Sequence, residues 1–173
     1  VPPSGPPAQS GRRGWADDPR LRNWVFACTA LAVVLRLFRI GAQSYWLDEG
    51  LQTVLVGYRS PSELLDAVRA GIDKSPPLYH FVSWFWSRLG STSETWMRLP
   101  SVLFAASSVP AVALVARRVA CRSVALAALL AAIAPISVYY GQEARMYALA
   151  LALSAWSMVG HVFSFSTKTA PWS

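Results

Sequence analysis

The stretch SYWLDEG, residues 44–50, places two adjacent carboxylates, Asp48 and Glu49, just beyond the apolar run WVFACTALAVVLRLFRI. A carboxylate at such a place can act as a general base and take the proton of an attacking hydroxyl. Neighbours on a helix point about 100° apart, so the two acids cannot share one task. One can face a cavity while the other pairs with a cation or caps the helix. Equally, both can be the solvated acids common in a first helical turn. A second cluster, YYGQEARMYAL at 139–149, brings Gln142, Glu143 and Arg145 into the start of a helix behind two tyrosines. Arginine there suits a phosphate, which its planar fork holds in two places. An ionisable group at a membrane edge usually faces protein or a wet cavity, although an interfacial boundary with a local ion pair fits the same residues. The third cluster, DKSPPLYH at 73–80, offers Lys74 to an anionic headgroup and His80 as a base or ligand. The plainer alternatives are a solvated lysine and a structural histidine.

These residues punctuate a chain of 173 residues that is 54% hydrophobic and only 14% charged, with a mean hydropathy of +0.33. Soluble domains carry about 25% charged residues, so the balance points to a membrane protein. Eight Trp and six Tyr suit the headgroup level, where amphipathic rings collect. The net charge of +7 is scattered between apolar runs and forms no stripe, which argues for a topology signal and against nucleic acid as a partner. Cys28 and Cys121 make no spacing motif, so no disulfide or metal framework is implied.

Four runs are near the ~20 residues a helix needs to span the hydrocarbon: 23–40, 96–116, 119–139 and 144–165. Arg36 and Arg39 in the last turn of the first are expected to snorkel to the interface. Residues 1–21 read as a disordered cytoplasmic tail and 22–166 as an N-terminal transmembrane module. Residues 167–173 read as a tail in a chain that belongs to something longer. The connection 41–95 predicts three short helices. Leu47, Leu51, Val54, Leu55 and Tyr58 share one face of the first. Ser60, Pro61 and Glu63 cap the second, which Gly71 stops. Ser75 is the expected cap of the third, Gly90 its end, and Leu78, Phe81, Val82, Phe85 and Leu89 its stripe. From Pro77 to Leu89 that helix is roughly 20 Å long, too short for a ~30 Å core, and is expected to lie at the interface. The arginines at 12, 13, 20 and 22 and at 117, 118 and 122 then fall in the cytoplasm. Asp48, Glu49, Asp73, His80, Arg98, Glu143 and Arg145 converge on the extracytoplasmic face.

WLDEG, SPPLYHFVSWFW, ETWMRLPSVLFA, ARRVACRSVALAALLAAIAP and YYGQEARMYAL follow one another over about residues 22–165. In that order they resemble the front module of family 39 glycosyltransferases, the membrane group that includes protein O-mannosyltransferases and the lipid A aminoarabinose transferase. The resemblance implies an all-α, multi-span GT-C fold in the cell membrane with a catalytic first outer loop. It implies a polyprenyl-phosphate sugar as lipid donor and a protein, lipid or glycan acceptor outside the cytoplasm. Asp48 matches the family's loop aspartate, the catalytic carboxylate, and Glu49 its companion. Arg145, Glu143, Tyr147, Lys74 and His80 are the candidate substrate-binding residues, and a divalent metal cofactor stays open. Where many members read HPPLY this chain has Ser75 before Pro76 and Pro77, so that histidine's role does not carry over, and His80 is not its equivalent. Two rival readings are a transporter, which would show inverted repeats that this sequence lacks, and a non-catalytic membrane scaffold.

Overall fold

A computed structural model describes residues 18–42, 44–119 and 123–168, with side chains as far as residue 164. The expected tails therefore lie almost wholly outside the described residues, as do Arg12, Arg13 and Arg122. The described residues are all-helical: α1 (Pro19–Leu37), α2 (Leu47–Val56), α3 (Pro61–Arg69), α4 (Pro77–Leu89), α5 (Glu94–Val119), α6 (Val124–Ile133), α7 (Pro135–Gly141) and α8 (Tyr147–Lys168).

Local chemistry sets the helix ends. Asp18 accepts from the N–H groups of Arg20 and Leu21, with Pro19 at the first helical position of α1. The Ser60 hydroxyl accepts from Glu63 N at 3.2 Å, and Glu63 reaches back to the N–H of Arg59 at 3.0 Å, one residue before the expected partner. Gly71 follows at φ 85°, a left-handed turn that favours glycine. Ser75 is not the cap of α4. Pro76 holds that position without a side-chain bond, and Asp73 Oδ1 accepts the Ser75 N–H at 2.8 Å, turning the chain before the helix. Pro100 and Pro110 stay inside α5. Pro135 instead breaks the third apolar stretch, and α6 and α7 meet at 49°, because proline removes a donor and crowds the preceding turn.

α5 is the central helix, packed against α1, α6, α7 and α8. Val25, Cys28 and Ala32 of α1, Ala106, Val109 and Ala113 of α5, and Val124, Ala128 and Ala132 of α6 form one core. Small residues let helices approach closely where lipid would solvate larger ones equally well. α5 and α8 are long and apolar enough to cross a membrane, and the bent α6–α7 pair makes a third candidate if it counts as one span. α1, expected as the first span, is not among them; its 19 residues include Arg20, Arg22 and Arg36.

The short helices form a second core, in which Leu55, Val56, Leu64, Ala67 and Trp84 close on Met97 and Ala144. Here the expected faces are only partly the buried ones: Leu55 is in the core, and Tyr58 and Phe81 pack against it. Leu78, Phe85 and Leu89 of α4 point outward, as do Leu47 and Val54 of α2. The buried faces carry Tyr79, His80, Ser83, Trp84 and Ser87 of α4 and Glu49 and Gln52 of α2. An apolar stripe predicts the core only when the alternative is water. On a chain whose long helices are apolar enough to cross a membrane, grease can face outward and polar groups must find partners inside.

Candidate functional site

Glu49 lies in the first turn of α2 and is 1% exposed. Its Oε1 accepts from Arg98 Nε at 3.0 Å and from the Ala144 N–H at 2.7 Å. Its Oε2 accepts from Arg98 Nη2 at 2.7 Å and from the Trp46 N–H at 3.3 Å. Arg98 also donates from Nη1 to the carbonyl of Ile40 at 2.7 Å. One ion pair thus joins α2, α5, the chain beyond α1 and the turn before α8. Burial alone pushes the Glu49 carboxyl up, but the Arg98 guanidinium and the Ala144 and Trp46 N–H groups outweigh it and hold it below the ordinary carboxylate range. With both oxygens occupied twice, Glu49 is a structural anion rather than a base.

Asp48, about 100° around the helix, has the opposite surroundings. Its side chain is 65% exposed, with Oδ2 3.5 Å from Arg145 Nη2. Arg145 also donates from Nη1 to the Asp48 carbonyl at 3.1 Å and lies 3.7 Å from Asp73 Oδ2. Both ion contacts are longer than the about 2.7–2.9 Å of a tight charge-assisted bond. Burial raises Asp73, yet the hydroxyl and N–H of Ser75, with His80 and Arg145, bring it below its ordinary value.

Asp48, Glu49, Glu143, Arg145 and Tyr147 line a polar pocket of ≈ 230 Å³, walled by Trp46, Tyr139 and Tyr140. Beside it runs an apolar groove of ≈ 540 Å³ between α5, α6, α7 and α8, lined by residues such as Val112, Leu130, Ile136 and Leu151. Tyr140 and Tyr147 line both spaces, and their ring centroids are 4.5 Å apart. The structure therefore brings Asp48, Glu49, Glu143, Arg145 and Tyr147 together.

Lys74 and His80 do not join them. Lys74 is exposed and lines no part of the pocket. His80 is 2% exposed, with Nδ1 2.6 Å from Gln52 Oε1. An amide oxygen only accepts, so with that amide orientation Nδ1 carries the proton. Burial lowers the His80 pKa, with the Asp73 carboxylate opposing it. Residues that sequence reasoning placed only on the right face turn out to shape the site: Arg98, the partner of Glu49, and Asp73, the second acid on Arg145. The signal for Arg98 is its isolation in an apolar run, because a buried cation needs an anion or several oxygen acceptors around it. Among the described residues no group of three or more His, Cys, Asp or Glu is placed to hold a metal ion. Compared with family models, curated proteins and solved structures, the chain matches none.

Proposed function

We propose that this chain is the front module of a membrane glycosyltransferase that moves a sugar from a polyprenyl phosphate to an acceptor hydroxyl outside the cytoplasm. The observation that carries the reading is the shared Tyr140–Tyr147 wall. A polar pocket holding an exposed carboxylate and an arginine adjoins an apolar groove. A donor with a charged head and an isoprenoid tail has that same division. The reading is also supported by the ends of the bundle. Leu21, Arg117 and Val124 meet around one cavity at the basic end, whereas the acids of the pocket are near the C-terminal end of α1, which the positive-inside rule places outside.

In this reading the acceptor oxygen attacks the anomeric carbon as the bond from that carbon to the phosphate oxygen breaks. The hydroxyl proton passes to Asp48, and polyprenyl phosphate leaves with the electron pair. A single displacement inverts the configuration. Arg145, loosely held between Asp48 and Asp73, takes up the charge growing on the leaving phosphate. Glu49 keeps α2 and the 143–146 turn in register and carries no proton.

The test is transfer from a polyprenyl-phosphate sugar, measured beside donor affinity. Asp48→Asn is expected to retain donor binding and to lower turnover by about 10²- to 10⁴-fold, the usual share of a general base. Arg145→Ala should weaken binding and turnover together, because a phosphate contact exists before the transition state and strengthens in it. Normal turnover in Asp48→Asn would remove the proposed base.

A further inference from the structure

Arg36 stands in the last turn of α1 with no solvent exposure, and among the described residues no carboxylate pairs with it. Its Nη1 donates to the carbonyl of Ala32 at 2.8 Å and to that of Ala132 at 3.1 Å, and its Nη2 donates to the Ser137 hydroxyl at 2.7 Å. Ala132 is near the end of α6 and Ser137 near the start of α7, so the guanidinium bridges the break that Pro135 opens. A helix end leaves carbonyls without partners, and a cation is the favourable neighbour for them. The stem of Arg36 runs along the far end of α7. A Cβ at Gly141 would lie 2.8 Å from Arg36 Cδ and 2.9 Å from Nε, so glycine is what lets the side chain through. Next to it, the Gln142 amide donates to the carbonyls of Leu35 and Phe38 at 3.2 and 2.9 Å.

α7 is thus pegged to α1 at both ends. It carries Tyr139 and Tyr140, and it leads directly to the Ala144 N–H that meets Glu49. We infer that Arg36 is a positioning residue for the polar pocket: by clamping α7 across the α6–α7 break, it sets where the tyrosine wall and the 144 N–H stand. The inference takes from the proposed function only that the pocket is where the donor's phosphate binds. Lysine cannot reproduce the planar fork that reaches Ala132 and Ser137 together. Burying an arginine without an acid is costly, and the bonds across the break offset that cost.

The full chain in lipid nanodiscs tests this with Arg36→Met, Arg36→Lys and Gly141→Ala. Two readouts are taken: backbone hydrogen exchange and affinity for polyprenyl phosphate. In Arg36→Met, exchange over 136–146 is expected to rise about 10- to 100-fold, the equivalent of losing bonds to a charged group. Residues 150–164 of α8 should not change, and affinity for polyprenyl phosphate should fall with Arg145 intact. Arg36→Lys should restore part of both. Gly141→Ala, which keeps the arginine and adds one methyl, should move both in the same direction as Arg36→Met. Exchange over 136–146 that stays at the wild-type rate in both Arg36→Met and Gly141→Ala would overturn the inference, and so would a rise spread evenly over every helix. If the exchange pattern appears but wild-type chain binds no polyprenyl phosphate, the clamp stands and the proposed function fails.

Discussion

Where α1, α5 and α6 meet, the buried residues are small: Ala32, Ala106, Ala113, Ala128 and Ala132 with Val25, Val109 and Val124. Where α2, α3 and α4 close on the head of α5, they are large and partly polar: Leu55, Leu64, Trp84 and Met97, with Glu49, Gln52, His80 and Arg98 among them. The first region gains by backbone proximity and tolerates no added volume. The second is fixed by directional bonds between groups that water would otherwise satisfy. Chemistry needs side chains held at chosen angles, and the second region is where such bonds are densest. The pocket borders it, one helical step from the Glu49–Arg98 pair.

The most damaging change should come from breaking that pair. Arg98→Met leaves the Glu49 carboxylate buried and unpaired, an expected loss of about 3–5 kcal/mol in thermal or denaturant unfolding. Replacing both partners, Glu49→Met with Arg98→Leu, should recover most of it, since a dry pair adds little net stability. A loss as large in the double variant would mean the pair contributes more than orientation. Glu49→Gln belongs to the same test and should act through folding rather than through the chemical step.

In the other region the sensitive direction is enlargement. Ala128→Leu puts a branched side chain where the alanine has no exposure and is expected to cost about 1–3 kcal/mol. Easy accommodation, seen as an unchanged unfolding midpoint, would erase the contrast between the two cores.

Acid should loosen the polar region selectively. The folded pKa of His80 is lowered from 6.5, so between that lowered value and 6.5 the unfolded chain binds a proton that the folded chain refuses. The stabilisation from neutral His80 is full above about pH 6.5 and declines as pH falls toward the lowered value. Glu49 and Asp73, lowered from 4.5 and 3.8, contribute above those values and lose their contribution as pH falls through their folded pKa values. Hydrogen exchange in α2 and α4, corrected for intrinsic rates, should therefore rise in two steps. The α1–α5–α6 contacts should respond much less, and equal loosening of both regions would contradict the contrast.

The smallest stability effect belongs to Asp48. Its ion contact with Arg145 is largely exposed, so Asp48→Asn should shift unfolding by about 0–1 kcal/mol. Adjacent acids in one helical turn would then differ in stability effect several-fold, which unfolding measurements on single variants can read directly.

Much of the scaffold is legible in the sequence because its signals are local. The caps at Ser60 and Glu63 and the stop at Gly71 each follow from neighbours a few residues away. The face of α4 is not local. Leu78, Phe85 and Leu89 form a good amphipathic stripe that points away from the core, and nothing in the periodicity says which side is lipid-like. Arg36 was expected to snorkel to the interface. Its partners, Ala132 and Ser137, are about a hundred positions away, so its burial could not be read from α1 alone.

By itself the sequence determined that this is a helical, apolar chain with two adjacent carboxylates at a helix start, pointing in different directions. Helical geometry is a property of consecutive residues, so that separation holds whatever surrounds it. Which carboxylate is enclosed and which is open was decided only by tertiary structure. Arg98 is 49 positions from Glu49, and Ala144 is 95 positions away. Their arrival at Glu49 rather than Asp48 depends on how α5 and the 143–146 turn pack against α2. Charge and spacing along the chain carry no record of that docking, because the bonds that stabilise a buried anion come from elements brought together by folding.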